Sequence, residues 1–133
     1  MRFLTAIAFT SLGMLILCSQ ESKASIGEVI LHEGSGVIER KDNGESVESQ
    51  IEAEVFSYDT IRTAKGKTAI EFIDTTRVDV TEHSKLIIDE FVYDPNTKTG
   101  KLSLKAKLGT VRYASGQIAK NSATNVKITN IYI

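Results

Sequence analysis

Apolar and polar positions alternate with a period of two along much of this chain. The alternation is plainest where Leu102, Leu104, Ala106 and Leu108 interleave with Lys101, Ser103, Lys105 and Lys107. Successive side chains of a strand point to opposite faces, so this segment has one dry face and one basic face. Leu86-Ile87-Ile88 and Phe91-Val92-Tyr93 precede it. The run from Asp94 to Gly100 between them carries the Pro, Asn and Gly that favour chain reversal. A long β-hairpin is predicted within the stretch Leu86 to Tyr113, with Lys101–Leu108 as its return strand and with Leu102, Leu104, Ala106, Leu108, Phe72 and Ile88 in the core.

The rest of the chain reads as short strands between turn signals. Val29-Ile30-Leu31 ends near Gly34-Ser35-Gly36, and Val37-Ile38 ends at Lys41-Asp42-Asn43-Gly44. Thr60 to Thr63 is β-branched and leads to a compact turn at Ala64-Lys65-Gly66-Lys67. Ala69 to Ile73 is the next strand, Asp74-Thr75-Thr76 turns it, and Val78 and Val80 follow. Val47, Ile51 and Val55 are spaced by four, which suits a helical turn or a ragged strand, and an extended conformation is favoured. After Tyr113 come a small, polar stretch, a loop over residues 121–125, and a last strand starting at Val126 and Ile128. Turns that recur about every eight to twelve residues indicate an all-β domain.

Residues 1–24 differ in kind. Arg2 is the sole charge before an uncharged, mostly apolar run from Phe3 to Cys18, and Ser22-Lys23-Ala24 offers small residues at a cleavage site. This is the pattern of a secretory signal helix cut after Ala24, leaving one domain over residues 25–133. The run is short of the roughly 20 residues a spanning helix needs, which disfavours the alternative of a membrane anchor. Lipidation of Cys18 fits poorly with the bulky Leu17 before it. The expected location is periplasmic or secreted, with membrane contact only through the signal segment if uncleaved. Beyond the signal there is no cysteine, so the core alone must hold the domain.

The net charge of −1 conceals an asymmetry. All 17 acidic residues lie between Glu21 and Asp94, whereas the seven basic residues from Lys98 onward have no acid among them. Either the two halves neutralise each other across strands, or the basic half meets an anionic partner. Nucleic acid is not expected, because the basic segment has few aromatics and no recognition signature.

Catalytic signals are weak. His32 and His83 have no metal-ligand spacing. Asp74, Asp79 and Glu82 are the one set that could suggest paired carboxylates, but a period of two turns Asp79 toward solvent. Asp94 to Gly100 lacks the glycine and distal glutamate of a calcium loop. No nucleophile elbow or phosphate-binding loop is present. The expectation is a protein that is not an enzyme and needs no cofactor or metal.

Several of these segments together resemble the FecR domain family. They are Val55-Phe56-Ser57-Tyr58-Asp59-Thr60-Ile61-Arg62-Thr63, the strand–turn–strand from Ala69 to Val78, Ser84 to Pro95, Leu108 to Lys120, and Asn125 to Thr129. Thr75 stands where the family has Gly, and the chain stops where the family continues into a further strand, so a closing strand is expected to be missing. The resemblance implies an exported all-β module, β-solenoid-like or built of rolled antiparallel sheets with short strands and hairpins, a β-sandwich being the alternative. It also implies non-enzymatic protein–protein recognition in the cell envelope, with a regulatory or sensing role. The alternative is binding of an anionic envelope glycan or polymer through the basic half. Lys101, Lys105, Lys107, Val126, Lys127 and Ile128 are the candidate partner-binding residues, Val126 onward as an open edge.

Overall fold

A computed structural model describes residues 24–130. Residues 1–23 of the expected signal segment, Cys18 among them, and the terminal Ile131-Tyr132-Ile133 lie outside the described residues. The described chain is all-β: nine strands form one open mixed sheet, and the helical elements are a five-residue helix and a 3-10 turn.

The strands are β1 (Gly27–Glu39), β2 (Ser46–Glu48), β3 (Glu54–Val55), β4 (Thr60–Phe72), β5 (Arg77–Val80), β6 (Lys85–Asp94), β7 (Thr99–Leu108), β8 (Val111–Ala114) and β9 (Val126–Asn130). Helix α1 (Gln117–Asn121) and a 3-10 turn over Ala123–Asn125 connect β8 to β9. The main order is β2-β1-β4-β6-β7-β9, while β3 pairs with β1, and β5 bridges β4 to β8.

Two expectations about strand length are overturned. Gly34-Ser35-Gly36 and Ala64 to Lys67 do not turn the chain; each lies inside a thirteen-residue strand. Gly34 and Gly66 pair with each other across β1 and β4. Both have positive φ (74° and 145°), and a Cβ on either would run into the opposing backbone carbonyl. The register shifts beside Gly34, so the strands bend there without ending. The far half of β4 pairs with β5 and its near half pairs with β6, so β4 serves both parts of the sheet.

The Val47, Ile51, Val55 segment is extended, as favoured. It forms β2 and β3 around a turn, with Ile51 exposed and Val55 fully buried. The expected Asp74-Thr75-Thr76 turn is the hairpin loop between β4 and β5, with residues 73–75 enclosed by Phe72 and Thr76. Thr75 N–H donates to Phe72 O (2.9 Å), Phe72 N–H donates to Thr76 O (2.8 Å), and Thr75 takes φ 71°. The last residue of such a three-residue loop is left-handed, the position where Gly is usual. The predicted β6–β7 hairpin is present. Its left-handed residue is Lys98 (φ 57°), and Gly100 belongs to β7 rather than to the turn.

One core cluster joins both parts of the sheet. Val29, Val55, Ile70, Phe72 and Val78 come from one part, and Ile38, Ile61, Leu86, Ile88, Leu102 and Leu104 from the other. Phe72 and Phe91 stack across it with centroids 5.1 Å apart. Leu108 is a correction, being 58% exposed. In β6–β7, Leu86 pairs with Ala106 but Lys85 pairs with Leu108, leaving Lys107 as an extra residue. That bulge reverses the alternation and puts Leu108 on the outer face beside Lys85. A second shift, with Asp89 as the extra residue, resets β6 so that Phe91 points inward after Ile88.

Candidate functional site

All six predicted partner-binding residues fall on two neighbouring strands, β7 and β9. β9 lies parallel to β7, setting Val126 beside Leu102, Lys127 beside Ser103 and Ile128 beside Leu104. Directly paired residues share a face, so Lys127 joins Lys101 and Lys105 on the outer face, while Val126 and Ile128 follow the core residues inward. Val126 packs against the core, but Ile128 stays 43% exposed, because no strand pairs with the far side of β9 among the described residues. Lys107, the bulge residue, stands one step further along β7.

A parallel partner needs a crossover, and a buried carboxylate secures this one. Asp74, in the turn after β4, is fully buried. Its oxygens accept from Thr76 N–H (3.0 Å), Thr76 Oγ1 (2.7 Å) and Ile118 N–H (3.2 Å), and its own carbonyl accepts from Gln117 N–H (2.8 Å). Helix α1 is thereby tied to the Asp74 turn, with Ile118 fully buried beneath it. Asn125 Nδ2 then donates to Gly100 O (3.0 Å), directing the chain along β7.

Charge on the outer face is interleaved. Lys105 Nζ lies 3.4 Å from Asp89 Oδ1, and Ser103 Oγ donates to Asp89 Oδ2 (3.2 Å). A shallow groove of about 340 Å³ is lined by Asp89, Glu90, Lys101, Ser103, Asn125 and Lys127 among others. The acidic half and the basic half therefore meet across β6–β7, and Asp79 faces Arg112 across β5–β8 in the same sense.

No family model, curated protein or solved structure matches this chain.

Asp74, Asp79 and Glu82 share no environment. Asp74 is sealed in its turn, Asp79 sits 3.0 Å from Arg77 on the outer face, and Glu82 is exposed in the next turn. His83 is exposed, and His32 Nδ1 lies 3.2 Å from Thr68 Oγ1. Among the described residues no three His, Cys, Asp or Glu side chains could together hold a metal ion. Tyr113, packed near Asp74, has a hydroxyl with no hydrogen-bond partner among the described residues, and burial, then the Asp74 charge, raise its pKa.

One arrangement had no chemical signal in the sequence. Arg40 donates to Asp59 Oδ2 and to Glu54 O (2.9 Å), with its guanidinium 4.7 Å from the Phe56 ring centroid. Asp59 is buried and also accepts from Phe56 N–H (2.8 Å). Lys41 lies over the exposed Tyr58 (5.3 Å), at the edge of an open cavity of about 460 Å³ that Asp42, Asn43 and Glu45 also line. The residues come from segments 19 positions apart, so only folding shows that they form one cluster.

Proposed function

We propose that this chain is an exported, non-enzymatic module that recognises a protein partner in the cell envelope, with a regulatory or sensing role. The observation that carries this reading is the open β9 edge, where Val126, Lys127 and Ile128 offer backbone donors and acceptors, an inner apolar strip and an outer cation together. An unpaired edge is a template for an added strand, with main-chain bonds giving affinity and alternate side chains giving selectivity. The FecR resemblance and the signal-like residues 1–24 support the envelope setting. The bent β1–β4 pair, shared between both parts of the sheet, favours the rolled form of the fold over a sandwich of separate sheets. The anionic-polymer alternative is weakened by Asp89 and Glu90, which lie among the lysines that would have to carry it.

The test is affinity capture from an envelope fraction with the native chain and with Ile128→Lys, a charge of the kind that blocks edge pairing. A protein retained by the native chain and lost by the variant is expected. No partner in repeated captures, or equal capture by both chains, would overturn the reading.

A further inference from the structure

Resting on that reading, we infer that the partner accepted by the β9 edge includes a second copy of this chain, which docks through its β2 edge. The sheet has two ends in its main order, β2 and β9. Backbone groups of Glu45 and Ser49 face β1, since Arg40 N–H donates to Glu45 O (2.8 Å) and Ser49 N–H donates to Gly36 O (2.9 Å). Alternation then turns the backbone groups of Ser46 and Glu48 away from β1, toward the open side.

The two ends differ in charge. Around β2 stand Glu45 and Glu48, with Lys41 and the Asp59-bound Arg40 as nearby cations. Around β9 stand Lys127, Lys101 and Lys107 together with Glu90, and Asp89 is already engaged by Lys105, so lysines outnumber acids at this end. A symmetric contact of β9 with β9 gathers lysines, and one of β2 with β2 gathers glutamates. Only the β9-to-β2 contact joins opposite charges, and like charges directly across strands are destabilising.

The side-chain alternation also agrees. On β2, Val47 pairs with Ile38 and so faces the core side, while Glu48 pairs with Val37 on the outer side. On β9, Val126 and Ile128 face the core side and Lys127 the outer side. Keeping both outer faces on one side makes the added β2 run parallel to β9, as β9 already runs to β7. Val126 then lies beside Val47 of the next copy, and Lys127 beside Glu48 of the next copy. Such a head-to-tail contact leaves a free edge at each end and can repeat.

The experiment is sedimentation velocity over a concentration series at low salt and at about 0.5 M salt, where the Debye length falls to a few ångströms. The native chain is expected to self-associate with rising concentration, and at least tenfold more weakly at high salt. Lys101→Gln/Lys127→Gln and Glu45→Gln/Glu48→Gln are each expected to be monomeric alone. Mixed, they should give a one-to-one pair that grows no further, because each retains one native edge. A native chain that stays monomeric at low salt, or variants that associate as it does, would overturn the inference. Capture of a different envelope protein through β9 by a chain that stays monomeric would overturn this inference and leave the proposed function standing.

Discussion

The β1–β4 pair and the β6–β7 hairpin solve the same problem in different ways. Each is a long antiparallel pair that must bend around one small core. β1–β4 bends chiefly where Gly34 meets Gly66, with no side chain at the contact, and also has one bulge with Ile30 as the extra residue. β6–β7 bends at two bulges, where Asp89 and Lys107 are extra residues, and keeps side chains at both bends. The glycine solution allows the closest backbone approach but looks like a turn in the sequence. The bulge solution preserves a visible alternation but reverses its phase, so that Leu108, in step with Leu104 along the sequence, ends on the opposite face.

The largest expected effect comes from breaking the first device. Gly66→Val should cost more than about 3 kcal/mol, since a β-branched residue at this φ is a severe outlier and its Cβ meets the Glu33 carbonyl. Urea unfolding should show the loss or an unfolded chain. The second device is sharpened by a matched pair of truncations. Leu104→Ala should cost about 2–5 kcal/mol as a buried leucine. Leu108→Ala should change stability by no more than about 0.5 kcal/mol as a surface site. Equal costs would refute the bulge-driven reversal.

The turn after β4 and the turn between β6 and β7 differ in the same spirit. Thr75 and Lys98 both take left-handed φ, but Thr75 is β-branched. Thr75→Gly should raise the melting midpoint by relieving about 1 kcal/mol, and Lys98→Gly should give less. The smallest effect concerns Tyr113. Its pKa is raised, so its contribution to stability is complete below the ordinary value of 10.0 and is lost as pH climbs through the folded value. Tyr113→Phe should leave stability at neutral pH equal or higher by up to about 1 kcal/mol, because the buried hydroxyl has no partner among the described residues. It should also flatten the alkaline end of a pH–stability curve, and a steeper alkaline loss in the variant would contradict this.

The all-β class, the β6–β7 hairpin and most of its core were legible in the sequence, because period-two alternation and turn residues are local signals. Leu102, Leu104, Ala106, Phe72 and Ile88 are buried as expected. The continuity of β1 and β4 was not legible, because a glycine that permits a turn and one that permits close backbone approach are the same letter. The parallel placement of β9 was hidden for another reason. It depends on Asp74 holding Ile118 from 44 positions away. The candidate residues Lys101, Lys105, Val126, Lys127 and Ile128 were named from charge and position along the chain, and that crossover brings them together. The Arg40–Asp59–Phe56 cluster was missed because each member is unremarkable in its own segment.

The central functional claim is that β9 is the receiving edge. Amide hydrogen exchange of the chain, free and with a captured partner, tests it most directly. Exchange should slow across Val126 to Asn130 when the partner is bound, while the β6–β7 interior stays as it was. Slowing elsewhere, with Val126 to Asn130 unchanged, would contradict the account.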